Sequence, residues 1–360
     1  MFTDKITNLL QIIDYKLNNK AFSPNIKLDE LYLKWSEEKY PQLTFNGRKG
    51  YITAWNHIPD SMKKKKFLKL NRKNWQDVIS QMQKQRLRHG AQKKFKGLCG
   101  QLYKFAIRNE LSYNNFAPLL ELSKREPRYE KTVFTATEIQ TLYENKDKYP
   151  FIKNILILIF TGMRISEFLR LNPYNDIFLD DEKPYLIVRQ SKTAAGTNRP
   201  IPIFEKILPF MEELVEGAQK NNREELLVHT YNGRELVYDY PAFARAFRST
   251  LKKFNMKHTV HECRHSFASI MDEMNANDMA IRKIMGHAGI GVTKKVYTHK
   301  NTNSLFEAIE LLDNNYLLSK EEIGIAEKEI MEAVKNNNDF ILSEPLKEIL
   351  VRNKEFKFLG

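Results

Sequence analysis

His261-Glu-Cys-Arg-His-Ser-Phe-Ala268 is followed along the chain by Gly286-His287 and Tyr297, and a second basic landmark, Gly162-Met-Arg164, lies about a hundred residues upstream. Two arginines, two histidines and a tyrosine make a set suited to phosphate chemistry. Arginine offers a permanently charged planar fork that matches phosphate oxygens, and histidine a proton donor or acceptor near neutral pH. Tyrosine offers an oxygen nucleophile. His261 and Arg264, three residues apart on a predicted helix, project from one face near its N-terminus, where free amides and the helix dipole favour an anion.

Around this stretch the chain is long and basic. Its 360 residues exceed one ordinary core and predict two domains, and 42% hydrophobic residues suffice to fold both. The net charge of +14 is concentrated: between Asp60 and Lys131, Lys and Arg outnumber Asp and Glu 19 to 6, whereas beyond Lys300 the ratio is 7 to 12. A basic segment of that density points to a polyanion, because neutralising phosphates releases condensed counterions. No apolar run reaches transmembrane length, the longest candidate being Ile155-Leu-Ile-Leu-Ile-Phe160, and the N-terminus lacks the pattern of a signal peptide. Two cysteines, Cys99 and Cys263, exclude a disulfide framework and fit a reducing, cytoplasmic setting.

Hydrophobic periodicity predicts a short amphipathic helix over 3–18, within an N-terminal piece 1–25 ended by Ser23-Pro24. A helical bundle follows over 26–122, with Leu31, Leu33, Trp35, Phe67, Leu70, Trp75, Val78, Leu98, Leu102, Phe105, Ala106 and Ile107 on its apolar faces; its aromatics read as core rather than as base-stacking platforms. The charged, proline-bearing stretch beginning Ser123-Lys-Arg-Glu-Pro marks a linker over 123–134, and Thr135-Ala-Thr-Glu138 is a capping box that opens a second domain over 135–315. Helices are expected at 152–160, 164–171, 261–274, 278–285 and 301–312, with a short one around Tyr297. Strands are expected at 176–179, 185–190 and 199–204, the last demoted to an edge by Pro200 and Pro202. An acidic tail over 316–360 contains one more amphipathic pattern, 321–334. The fold class is mainly α with a small β-sheet.

His261-Glu262-Cys-Arg-His265 also matches H-E-x-x-H, the two-histidine zinc motif. An arginine between the ligands and the lack of a third ligand at the expected spacing argue against a metal. A zinc site would account for neither the basic segment nor Arg164.

Five boxes in order, Thr161-Gly-Met-Arg-Ile-Ser-Glu-Phe168, Gln190-Ser-Lys-Thr193, His261 to Ala268, Met285-Gly-His-Ala288 and Lys295-Val-Tyr-Thr-His299, resemble those of the tyrosine recombinase (phage-type integrase) family. The resemblance spans about residues 26 to 315. It implies a helical core-binding domain and an α+β catalytic domain closing on double-stranded DNA as a C-shaped clamp, and site-specific recombination through a covalent 3′-phosphotyrosine and a Holliday junction. By the same resemblance Tyr297 is the nucleophile, Arg164, Arg264 and His287 hold the phosphate oxygens, Lys192 protonates the leaving oxygen and His261 assists proton removal. Glu167 orients rather than reacts, and His258, His265 and His299 are structural or solvent-facing. Lys183 also flanks the predicted sheet and competes with Lys192.

The resemblance further implies a homotetramer on DNA, with an excisionase or DNA-bending protein as accessory, and neither cofactor nor membrane. The helix over 301–312 is expected to dock on a neighbouring protomer through Leu305, Phe306, Ile309 and Leu312, the alternative being that these residues pack on their own domain. Only about 25 residues precede the core-binding region, so the arm-binding domain found in many integrases is either absent or trimmed. Two alternatives share the residues: a type IB topoisomerase-like enzyme, and a DNA-binding regulator of the same fold without chemistry. Base-reading residues, and with them the DNA target, are not legible without docked geometry.

Overall fold

Polar caps set where the helices of the first unit begin. Thr44 Oγ1 accepts the Gly47 amide at 3.2 Å, and the Asn71 side chain accepts the Asn74 amide at 3.1 Å, each satisfying a donor that the first helical turn leaves open. The computed structural model describes residues 22–125, 132–287, 300–312, 316–319, 321–326 and 328. The chain divides into two units, Met1–Tyr129 and Glu130–Gly360, at a point inside the stretch expected as a linker. The expected helix over 3–18 lies outside the described residues.

In the first unit, helices α1 (Leu28–Lys39), α2 (Phe45–Trp55), α3 (Arg72–Lys84) and α4 (His89–Arg108) enclose one core. Trp75, Phe95, Leu98, Leu102 and Tyr103 sit at its centre, and the Trp75 indole donates to the Tyr103 hydroxyl at 2.7 Å, so neither buried polar tip is orphaned. The aromatics expected in the core are there. Leu33 and Ile107 are not: they are 58% and 40% exposed, because Leu31, Tyr32 and Trp35 on α1, and Phe105 and Ala106 on α4, occupy the inward positions. Lys64, Lys65, Lys66, Lys69, Arg72 and Lys73 are all exposed.

The second unit is built around α6 (Phe151–Thr161), where Ile155, Leu156, Ile157, Leu158, Ile159 and Phe160 are all completely buried. Helix α5 (Ala136–Glu144) precedes it, opened by the expected box: Thr135 Oγ1 accepts the Glu138 amide and Glu138 Oε2 accepts the Thr135 amide. Helix α7 (Ile165–Phe168) follows α6. Strands β1 (Ile177–Phe178), β2 (Tyr185–Val188) and β3 (Arg199–Pro202) form an antiparallel sheet in that order, with Leu186 opposite Ile201 and β3 at the edge.

Helix α8 (Leu208–Lys220), the hairpin β4 (Val228–Tyr231) and β5 (Arg234–Val237), and α9 (Tyr240–Lys252) come next and have no counterpart among the sequence expectations. The hairpin turns at Asn232-Gly233, both at positive φ as the tight two-residue turn requires. Helices α10 (Val260–Glu273) and α11 (Asp278–Met285) match their predicted spans closely, and α12 (Lys300–Glu310) belongs to the same unit.

The C-terminal region packs on the core of its own unit. Leu305, Ala308, Ile309 and Leu312 are buried in that core, against α11 and β3, whereas Phe306 is half-buried. The same core also runs past residue 315. Tyr316, Leu317, Leu318 and Ile323 belong to it, Tyr316 packs 5.9 Å from Phe160, and the buried Gln140 side chain pairs with both the amide and the carbonyl of Leu318. Helical backbone begins at Glu321 as expected, but the remainder of that pattern lies outside the described residues.

Candidate active site

Two helices that end on left-handed glycines carry most of the site. Gly162 closes α6 at φ +60°, and Gly286 closes α11 at φ +65°, where the amides of Gly286 and His287 return to the carbonyls of Lys283 and Arg282. Neither position tolerates a side chain. A Cβ on Gly162 would lie 2.5 Å from Cδ1 of Phe267 on α10, and one on Gly286 would lie 2.7 Å from the Gly196 Cα. These contacts draw α6, α10, α11 and the β2–β3 connection to one point, and Arg164, Lys192, Arg264 and His287 stand on those elements or immediately beside them.

Arg164 is the N-cap of α7. Glu167, three residues on, reaches back so that its Oε2 accepts the Arg164 amide at 2.9 Å, while its Oε1 accepts Arg164 Nη1 at 2.8 Å. Ser191 Oγ donates to the same Oε1 at 2.7 Å. Arg199, on β3, takes both oxygens, with Nη2 at 2.7 Å from Oε2 and Nη1 at 3.3 Å from Oε1. Glu167 is only 3% exposed. Burial by itself would raise its pKa, but the hydrogen bond and charge of Arg199, with Ser191 and the Arg164 amide, outweigh that and hold the carboxyl at about 2.

Arg264, also 3% exposed, rises from the first turns of α10. Its Nη1 donates to the Gly162 carbonyl at 2.7 Å and its Nη2 to the Met285 carbonyl. Among the described residues no carboxylate pairs with it directly. Burial, then the like charge of Arg164 and, more weakly, of Arg199, push the Arg264 pKa down to about 9 although Glu167 opposes the shift. Such a guanidinium lacks a full countercharge and is prepared for an incoming anion. Partial desolvation followed by the charges of Arg264, Arg164, Arg282 and Arg199 likewise lowers the pKa of His287, which faces solvent at the edge of the cluster.

The remaining expected residues are placed less tightly. Lys192 is exposed, but both of its neighbours belong to the cluster: Ser191 through Glu167 and Arg164, and Thr193 through its hydroxyl, 3.4 Å from the Gly286 carbonyl. Its competitor Lys183 is engaged elsewhere, paired with Glu310 at 2.7 Å and lying over the Phe306 ring. His261 is exposed on the first turn of α10, its ring edge-on to His265 at 4.7 Å. Glu262 of the zinc-like pattern caps that helix, accepting the Thr259 amide at 2.6 Å, and His258 sits between Glu138 and Glu262 with its ring stacked on Phe134. Tyr297 and His299 lie outside the described residues.

Arg199 is the participant that sequence reasoning missed. The stretch from Arg199 to Pro202 reads as an exposed edge strand, and the local sequence does not show that the arginine turns inward to a carboxylate 32 residues earlier. A polar residue opening a strand just after a glycine-containing turn was the available signal.

In this α+β unit Arg164, Arg199 and Arg264 gather around Glu167, and Arg264 has no carboxylate partner among the described residues, an arrangement whose chemistry suits an oxyanion. The phage integrase family model matches residues 132–304. Tyrosine recombinase XerA of Pyrococcus furiosus is 30% identical over 213 residues, covering 56% of this chain and 72% of that protein. The XerA of Pyrococcus horikoshii is 33% identical over 159 residues, 44% of this chain, and there the match spans about half (53%) of the relative's length. In fold, the chain resembles a lambda integrase tetramer bound to a Holliday junction, with TM-score 0.59 and 17% identity over 82% of this chain and 89% of that one. The chain belongs to the phage integrase family, the tyrosine recombinases.

Proposed function

We propose that this chain is a site-specific DNA recombinase that cleaves and rejoins duplexes through a covalent 3′-phosphotyrosine. The observation that carries this reading is the meeting of Arg164 and Arg264 in one buried cluster, with Arg264 hydrogen-bonded only to carbonyls among the described residues. Placed against a phosphodiester, the two forks neutralise the non-bridging oxygens, where charge grows as phosphorus becomes five-coordinate. His287, whose neutral form is favoured by partial desolvation and then by its cationic neighbours, donates a further hydrogen bond.

In the proposed reaction the Tyr297 oxygen attacks phosphorus, its proton passing to His261. The bond from phosphorus to the 5′-oxygen breaks, and that oxygen takes a proton from Lys192. The phosphotyrosine keeps a phosphodiester for the one lost, so attack by another strand's 5′-hydroxyl is nearly neutral in energy and needs neither ATP nor a metal. An unperturbed phenol, with a pKa near ~10, requires the base and the nearby cations to react at pH 7. The basic first unit, with Lys64, Lys65, Lys66, Arg72 and Lys73 exposed, grips the backbone irrespective of sequence.

Exchange between two duplexes requires four such sites, so a homotetramer on DNA is the working form, acting in the cytoplasm, where its substrate is. DNA gripping is assigned to the part over 26–122 and chemistry to the part from 135 onward, whose core runs past residue 315. Transfer of a labelled strand from one duplex to another tests the reading, and efficient supercoil relaxation without any transfer would favour a topoisomerase instead.

A further inference from the structure

Arg199 is 4% exposed and contacts three segments of the site at once. Its Nε donates to the Ile284 carbonyl at 2.8 Å, two residues before Gly286. Its Nη1 donates to the Gly196 carbonyl at 2.5 Å and reaches Glu167 Oε1, and its Nη2 completes the pair with Glu167 Oε2. Glu167 in turn holds Arg164 and Ser191, the residue before Lys192. The close approach of Gly286 to Gly196 lies directly beside it, since a Cβ on Gly286 would also meet Arg199 Nε at 3.0 Å. Being buried, Arg199 itself does not face the space a DNA strand would occupy.

We infer that Arg199 is a positioning residue for strand cleavage: by gripping Glu167 and the carbonyls of Gly196 and Ile284, it fixes Arg164, the Lys192 loop and the His287 turn in one geometry. The inference rests on the recombinase reading above. The fork geometry explains why arginine is used. Four acceptors in three directions match a planar guanidinium, whereas a lysine ammonium on a flexible stem cannot span them. Glu167 is the hub of the arrangement, facing Arg164 from α7, Ser191 from the β2–β3 connection, Arg199 from β3 and the charge of Arg264 from α10. A displacement of about 1 Å in a phosphate-holding group costs roughly 10²-fold in rate, so loss of the brace reaches the chemistry without touching DNA.

The test uses the full chain and a pool of nicked duplexes tiling the DNA that flanks its coding region, scoring covalent adduct in single turnover alongside duplex affinity. Wild-type protein that forms no adduct overturns the recombinase reading, and this inference with it. Given wild-type adduct, R199M is expected to cleave about 10²-fold more slowly with affinity within about threefold. In an E167Q background the same R199M change is expected to cost clearly less than the full ~10²-fold, since the grip on Glu167 is shared by the two residues while only the Gly196 and Ile284 contacts remain to be lost.

Undiminished cleavage by R199M overturns the inference, as does a full R199M loss that persists in the E167Q background. Thermal melts separate folding from function. If R199M unfolds while E167Q/R199M folds, the E167Q comparison decides. If neither folds, Arg199 serves the fold alone and the positioning role is overturned.

Discussion

Arg264 donates to the carbonyl of Gly162 at 2.7 Å, joining residues 102 positions apart and seating the second arginine box on the helix end that introduces the first. The left-handed glycine makes this possible, because it aims its carbonyl at α10 while leaving room for Phe267 beneath it. Gly162→Ala should therefore both strain the backbone and collide with the Phe267 ring. The expected loss is about 2–5 kcal/mol, read as a lowered urea midpoint with an unchanged slope. A stability equal to wild type would show that the turn is not constrained as described.

Glu167 makes the fold acid-sensitive. Its folded pKa of about 2 lies below the ordinary 4.5, so between these values the unfolded chain binds more protons than the folded one. The stabilisation, about 3 kcal/mol, is fully present above pH ~4.5 and is lost as pH falls through about 2. Urea midpoints measured between pH 7 and pH 3 should fall less steeply for Glu167→Gln than for wild type. Identical slopes would remove Glu167 from the ion-pair hub.

His287 should titrate below the ordinary histidine value of 6.5 in the free protein, since partial desolvation and the nearby arginines disfavour its charged form. A bound phosphodiester supplies negative charge beside those arginines and should move the midpoint upward. Following the His287 ring signals by NMR against pH, with and without a short duplex, checks both parts. A free-protein midpoint at or above 6.5 would contradict the electrostatic picture.

What the sequence disclosed and what it withheld divide along physical lines. The α6 run, the Thr135 box and α10 were legible because periodicity and capping are local. Arg164 and Arg264 were legible because their neighbours repeat a family pattern. Arg199 was not, since its burial depends on Glu167, with which it shares no local signal. The Asn232-Gly233 hairpin carries a strong local turn signal. Leu305 and Ile309 of α12, with Leu312 just after it, pack on α11 and β3 within the chain, a contact that apolar spacing alone does not distinguish from one to a neighbour. Leu33 and Ile107 show the limit of apolar spacing alone, because larger neighbours one or two positions away claimed the interior.

The central claim is that a tyrosine oxygen, served by the Arg164 and Arg264 cluster, takes the DNA strand onto the protein. Mass spectrometry of peptides from adduct trapped on the nicked flanking duplexes tests it most directly. The account predicts a 3′-phosphonucleotide on Tyr297, and no adduct from Tyr297→Phe although duplex binding stays within about threefold of wild type. Nucleotide on any other residue, or adduct surviving in Tyr297→Phe, would contradict it.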